Sequence, residues 1–277
     1  MKYLFRDRIP KGCSLATFVK YSGDTHPDHH DYHPHYELYF RRSPLLQDIV
    51  LNGESLHIES PCAVLTAPFQ IHAMSPLLLS EQFERHIIYF DLKLLDRISG
   101  FLPHRFFEQS SNSLFILSLK EAAMLESMLP IIFDDSLPEE ERALALALLF
   151  CRLERSVAPS RRHRFGQIKT YIPQVLQFLH DHIADALSTD GIAARFHVSR
   201  AKLNRDFRAS VGQSLHGAIT DLRIAQAKSM LRERTASVSE IARQCGFPSE
   251  HYFYDFFKRH VGLTPLQYRK GQDVIDP

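Results

Sequence analysis

Residues 241–269 read IARQCGFPSEHYFYDFFKRHVGLTPLQYR. Just ahead of them, Ser237-Val238-Ser239-Glu240 has the S-x-x-E spacing of a capping box, which predicts a helix start. Gly246 suits the left-handed residue that ends a short helix. Ser249 is placed to cap the next helix, where Phe253, Phe257 and Val261 recur at i, i+4 and i+8 and bury one face. Gly262 closes that helix, and Thr264-Pro265 opens another as N-cap and first helical residue. Two short helices joined by a tight glycine turn, the second with a polar outer face, describe a helix-turn-helix.

The pattern occurs once more upstream. A shift of 50 residues pairs Ser199 with Ser249, Leu203 with Phe253, Phe207 with Phe257, Val211 with Val261, Gly212 with Gly262 and Ser214 with Thr264. Ahead of the turn the shift is 49, pairing Ile192-Ala193 with Ile241-Ala242, so the second turn is one residue longer. Ser188 is placed to cap the helix that carries Ile192 and Ala193. A longer helix, from about Leu215 to Arg232, joins the two units. Its roughly 18 residues span roughly 27 Å, close to the roughly 34 Å between successive major grooves on one face of B-DNA.

Helix phase predicts which side chains face outward. With Leu203, Phe207 and Val211 buried, Ala201, Asn204, Arg205 and Arg208 point away from the core. Their counterparts are His251, Tyr254, Asp255 and Lys258, with Ser249 and Glu250 at the start of the second helix. Asn and Arg read adenine and guanine edges bidentately, while Arg200 and Lys202 are better placed for phosphates. Charge distribution agrees. Residues 1–160 hold 15 Lys+Arg against 21 Asp+Glu, a net of −6, and residues 161–277 hold 18 against 11, a net of +7. One half is therefore suited to meeting a polyanion.

Earlier in the chain the period changes. Residues 1–118 read mostly as strands, with apolar runs at 36–40, 49–51, 55–58, 63–65, 85–90 and 114–117 between Pro, Gly, Ser and Asn punctuation. Such spacing favours a sandwich or small barrel. Residues 119–129 and 138–155 read as helices, the second opening on Glu139-Glu140-Glu141, where the macrodipole favours acids. Leu144, Leu148 and Cys151 add more apolar surface than one face needs, so this helix either packs on the barrel or pairs two subunits. Residues 158–166, polar and basic, read as a linker. The start MKYLFRDRIPKG has no apolar run of signal-peptide length, no window is long enough to span a membrane, and the four cysteines form no C-x-x-C. A cytoplasmic protein with reduced, buried thiols is expected.

Taken together, Gly246-Phe247-x-Ser249-x-x-Tyr252-Phe253-x-x-x-Phe257-Lys258-x-x-x-Gly262-x-Thr264-Pro265-x-x-Tyr268-Arg269 resembles the signature of the AraC/XylS family of bacterial transcription regulators. The first unit is similar at Ile192-Ala193, Val198-Ser199, Leu203, Arg205, Phe207, Gly212 and Ser214, and Arg223 matches a favoured position. The likeness covers roughly residues 165–270. It implies two recognition helices inserted in the major groove. Asp255 departs from the family, standing where an Arg or polar base-reader is common, and Ala218 stands where an aromatic is usual. More weakly, His33-x-x-x-Glu37-Leu38, Ala67-Pro68-x-x-x-His72 and residues 84–91 resemble the cupin-type sensor domain fused to this family. The glycines expected near Ser43 and Pro61 are missing, and the first His of an H-x-H pair falls at Asp31.

His26, His29, His30, His33 and His35 lie within ten residues, with Glu37 beyond. On a strand His33, His35 and Glu37 would share a face, with His72 approaching from another. Such a set is able to ligate Zn, Fe, Ni or Mn. A polar pocket lining for a sugar or other small polar ligand is the preferred reading, with His33, His35, Glu37, Tyr39 and His72 as effector-binding residues and no metal or cofactor.

The fold expected is α+β and multidomain. A cupin-like effector-sensing β-barrel fills 1–118, a helical dimerisation segment 119–157 and a linker 158–166. An all-α domain with two helix-turn-helix motifs fills 167–277. The function expected is a sequence-specific regulator of transcription, an activator rather than an enzyme. Its expected partners are double-stranded promoter DNA, a small-molecule effector, a second copy of itself and RNA polymerase, and no membrane. The alternatives are a metal-dependent cupin enzyme acting on a sugar or small acid, and a ligand-independent regulator whose barrel is only a dimerisation scaffold.

Overall fold

The computed structural model describes residues 2–5, 9, 13–21, 29–44, 46–76, 84–166 and 171–271. Strands come first: β1 (Lys2–Phe5), β2 (Leu15–Tyr21), β3 (His29–Tyr32), β4 (Tyr36–Arg41), β5 (Gln47–Leu51), β6 (Glu54–Ile58), β7 (Cys62–Thr66), β8 (His72–Pro76) and β9 (Glu84–Phe90). Then follow α1 (Leu92–Ile98), α2 (Phe106–Ser110), β10 (Ser113–Ile116), α3 (Leu119–Glu126), α4 (Leu129–Ile132), α5 (Glu139–Ser156) and β11 (Arg162–Arg164). The rest is helical: α6 (Ile172–Asp181), α7 (Thr189–Arg195), α8 (Arg200–Val211), α9 (Leu215–Glu233), α10 (Val238–Gln244), α11 (Glu250–Val261) and α12 (Pro265–Lys270). Two compact units result, one containing Arg8–Lys169 and the other Thr170–Pro277.

The first unit is built on two antiparallel sheets. One runs β11-β10-β7-β4-β9-β2, and the other contains β3-β8-β5-β6. Alternation along β4 decides what lies on each side. Leu38 and Phe40 join a core with Leu146, Phe150 and Leu153 of α5. Tyr39, one residue out of phase, joins a second core with Ile49, Leu51 and Val64 between the sheets. Among the described residues the ladders form two sheets rather than a closed barrel, a correction to the expected cupin-like barrel. Side-chain packing, not a continuous hydrogen-bond ladder, joins them.

The six strand runs read from the sequence are present, as β4–β7, β9 and β10. The mostly-strand reading of 1–118 misses α1 and α2. The Asp91 side chain caps α1 at the Leu94 N–H, and Leu94 and Ile98 bury as an i, i+4 pair. So short a helical pattern between strands is not separable from a strand by periodicity. The supposed linker 158–166 is also corrected, because it is built into the first unit. β11 pairs with β10, and Phe165 is buried between the sheets. Three of its basic side chains are paired within that unit. Arg161 grips Glu121 with two nitrogens at 2.5 and 2.6 Å, Arg162 meets Glu154 at 2.7 Å, and His163 meets Glu54 at 2.7 Å.

In the second unit the start and stop signals act as the sequence implies. Ser188, Ser199, Ser214, Ser237, Ser249 and Thr264 each accept a backbone N–H as N-caps. Gly212, Gly246 and Gly262 are left-handed at φ 76°, 73° and 83°. The capping box expected at Ser237 is half formed, since Glu240 accepts from the Arg243 and Gln244 side chains instead. Leu203, Phe207, Val211, Phe253 and Phe257 are buried, each stabilising by about 1.5–3 kcal/mol relative to exposure. Val261, expected in the stripe, is only half-buried. Cys62 and Cys245 are buried free thiols as expected, whereas Cys13 is exposed.

Candidate functional site

The two repeats fold alike. α8 and α11 are each 12 residues long, each capped by a serine and each stopped by a left-handed glycine. Four residues separate α7 from α8 and five separate α10 from α11, as the 49-residue shift ahead of the turn requires. The shorter turn is made by His197, left-handed at φ 54°, and the longer one by Gly246. α9 holds the repeats together. Its Arg223 donates from Nε to the Ile183 carbonyl at 3.3 Å and from Nη2 to the Asp185 carbonyl at 3.1 Å, while its guanidinium lies 5.8 Å from the Phe247 ring centroid. One side chain thus ties the start of the first repeat to the turn of the second.

Arg200, Ala201, Lys202, Asn204, Arg205 and Arg208 are all exposed along α8. Asn204, Arg205 and Arg208 also line an open groove of about 700 Å³ with Ala209 and Ser214. Asp206, which sequence reasoning passed over, is bound by Lys202 Nζ at 2.5 Å and Arg205 Nε at 3.2 Å. It accepts from the Tyr171 hydroxyl at 3.4 Å as well. The Lys202 ammonium, then the Arg205 guanidinium, hold its carboxyl below the usual range. An i, i+4 charge pair was the available signal. On α11, Ser249, Glu250, His251, Asp255 and Lys258 are exposed. Tyr254 is half-buried against the core of its repeat. His251 Nε2 lies 3.7 Å from Asp255, so this face carries both signs where α8 carries cations around one acid.

In the first unit, His33, Glu37 and His72 converge. Glu37 sits on β4, His33 just ahead of it, and His72 on β8 of the other sheet. Both imidazole Nε2 atoms face one carboxylate oxygen, Glu37 Oε2, at 3.0 and 3.2 Å. Both Nδ1 atoms donate to backbone carbonyls, His33 to His35 and His72 to Gln70, each at 3.0 Å. All three side chains are buried. Burial opposes the charge on Glu37, yet His72 and the two imidazole hydrogen bonds hold its carboxyl well below the ordinary range. Burial likewise opposes the charge on His72, but Glu37, with Asp31, pushes it up to about 9. His33 is held down, chiefly by burial and then by the charge on His72, with Glu37 only partly offsetting them.

His35 is not part of this cluster, a correction to the shared face expected of it. The chain bends between β3 and β4, so His35 contributes its carbonyl while its half-buried ring stacks 6.2 Å from that of His33. Tyr39 is buried and donates to Gln47 Oε1 at 2.9 Å, and burial raises its phenol above the usual range. Sequence reading missed Tyr89, edge-on to His33 at 5.0 Å, and the buried Arg41 and Arg85. The signal for Arg41 was present, since Glu37, Tyr39 and Arg41 continue one period-2 face. His26 lies outside the described residues, as do the side chains of His29 and His30.

A family model described as a helix-turn-helix domain matches residues 192–271. The xylose operon regulatory protein of Escherichia coli strain K12 is 32% identical over 96 residues, covering 35% of this chain and 24% of that protein. The HTH-type transcriptional activator RhaS of Escherichia coli O139:H28 is 33% identical over 99 residues, covering 36% of each. The chain therefore spans about a quarter to a third of these curated relatives. A crystal structure of an apo ToxT variant from Vibrio cholerae strain SCE256 matches 95% of this chain and 99% of that one, at a TM-score of 0.54 and 16% identity. That likeness is one of fold, and it extends over both units.

Proposed function

We propose, from the premise that residues 192–271 are a helix-turn-helix domain of the AraC/XylS type, that this chain is a DNA-binding regulator of transcription. The paired repeat carries the reading. α8 and α11 are equal in length, share their caps and stops, and are held in one unit by α9 and Arg223. At about 1.5 Å per residue, the 19 residues of α9 span roughly 28 Å, on the scale of one turn of B-DNA. α8 is the principal reader, with Asn204, Arg205 and Arg208 toward base edges and Arg200 and Lys202 toward phosphates. α11 contributes Ser249, Glu250, His251, Tyr254 and Lys258, and carries two Lys or Arg side chains, Lys258 and Arg259, to the four of α8.

The two-sheet unit receives a small-molecule signal, and the exposed Leu144 and Leu148 of α5 pair two copies. Promoter DNA and RNA polymerase are the partners that such a regulator meets. The matched relatives are regulators, which supports this reading over the enzyme alternative. Among the described residues no helix is long and apolar enough to cross a membrane.

Fluorescence anisotropy with duplexes tiling the protein's own promoter region tests the proposal. One tile should bind well above a scrambled duplex, and affinity should fall steeply between about 50 and 200 mM salt. Arg205→Ala should lose about 10-fold or more, from about 1–3 kcal/mol of base discrimination. Affinity indifferent both to salt and to Arg205→Ala would overturn the assignment.

A further inference from the structure

The hydrogen bonds of the buried cluster leave an imbalance of charge. A backbone carbonyl only accepts, so the Nδ1 atoms of His33 and His72 both carry protons. Each Nε2 is therefore the remaining nitrogen, and each faces the same Glu37 oxygen. If either ring is neutral, its Nε2 lone pair points at a carboxylate oxygen with no proton between them. If both rings are charged, two imidazolium groups with ring centroids 4.9 Å apart share one carboxylate in a buried site. Two like charges that close, sharing a single counter-charge away from water, are disfavoured.

One divalent cation resolves both difficulties, because it accepts two neutral nitrogens and one carboxylate oxygen together. The geometry is that of ligands already gathered. One ligand atom from each of the three residues lies within 4.8 Å of the others. Ligands about 2.0–2.2 Å from a common ion, at roughly tetrahedral to octahedral angles, sit about 3–3.5 Å from one another. The two nitrogen–oxygen distances here are 3.0 and 3.2 Å. The Nδ1–H bonds to carbonyls are the outer contacts that fix the tautomer of a metal-bound histidine and aim its Nε2. Two imidazoles and a carboxylate are a borderline donor set, suited to Zn²⁺, Co²⁺, Ni²⁺ or Fe²⁺ and poorly suited to Ca²⁺ or Mg²⁺.

We infer that His33, Glu37 and His72 form a binding site for one first-row divalent transition-metal ion, with three protein ligands and a further position open. The ion would join β4 to β8 and so link the two sheets of the first unit. This assigns to the cluster a metal where the sequence reading expected a sugar-like ligand. It rests on these three side chains and is independent of the DNA-binding reading.

The test uses the full chain without an affinity tag, stripped with chelator and dialysed. Isothermal titration with Zn²⁺ and with Co²⁺ should show one ion per chain at micromolar affinity or tighter. Glu37→Gln and His72→Asn should each weaken it by about 100-fold or more, while His163→Asn, which removes the pair with Glu54 and a ring contact with Phe165, should leave it unchanged. Circular dichroism checks that the variants fold. X-ray absorption on the wild-type Co²⁺ form should count two imidazoles in the ligand shell, a reading that needs no variant. Absence of saturable uptake, uptake unchanged in folded Glu37→Gln, or a shell without two imidazoles overturns the site. No DNA enters these measurements, so their failure and the failure of the regulator reading are separately visible.

Discussion

Asp206 sets the electrostatics of α8. It is the acid among the cations of that helix, and it binds two of them, Lys202 and Arg205. In the free protein it holds these side chains along the helix, and near DNA it adds a like charge to the phosphates. Asp206→Asn keeps the side chain's shape and its bond to Tyr171 while removing the charge. Affinity for a random-sequence duplex should rise about 3- to 10-fold at about 100 mM salt, because non-specific binding scales with charge presented to phosphate. Anisotropy titration checks this, and unchanged or weaker binding would show that Asp206 orders the cations more than it opposes DNA. On α11 the exposed Asp255 faces His251 at 3.7 Å, so its sign departs from the cationic face of α8 at the position matching Arg205.

At the scale of elements, two glycines with the same backbone conformation do different things. Gly262 ends α11 at φ 83° with nothing within 4 Å of where a Cβ would stand. Gly246, at φ 73°, would bring a Cβ to 2.5 Å from the Ile183 carbonyl and 2.8 Å from Arg223 Nη2. Gly262→Ala should therefore cost only the left-handed strain, about 1 kcal/mol. Gly246→Ala should cost about 2–4 kcal/mol, since backbone must move as well and the Arg223 bonds with it. Urea denaturation of both variants compares them, and equal losses would mean that the close packing around Gly246 is not what selects glycine there. The resemblance marks Gly246 and Arg223 separately. The structure shows that they belong to one contact, made by a turn, a long helix and the carbonyls between α6 and α7.

At the scale of the whole molecule, α5 presents an apolar stripe that the fold leaves uncovered. It buries Leu146, Leu149, Phe150 and Leu153 against the sheet, while Leu144 and Leu148 are each 48% exposed. Two leucines at i, i+4 facing outward suit pairing with the same stripe on a second copy. Leu144→Glu combined with Leu148→Glu should convert a dimer to a monomer in light scattering while leaving the fold intact, because neither side chain enters the core. A wild-type chain that is monomeric at tens of micromolar would remove this role from α5.

What the sequence determined by itself was mainly local. The caps, glycine stops and buried stripes of residues 188–270 depend on neighbours within a few positions, so the helices, the repeat and its outward face were legible residue by residue. So were the period-2 runs of β4–β7, β9 and β10. What tertiary structure decided was long-range. Nothing in residues 158–166 says that their charges meet Glu54, Glu121 and Glu154, so a stretch folded into a sheet looked like a linker. Strands predicted singly do not state whether their ladder closes. His33, Glu37 and His72 were named as candidates, yet only the meeting of β4 and β8 brings both Nε2 atoms onto one oxygen and leaves His35 aside. Side-chain orientation across two sheets is set by packing between residues 35 positions apart, and no local spacing encodes it.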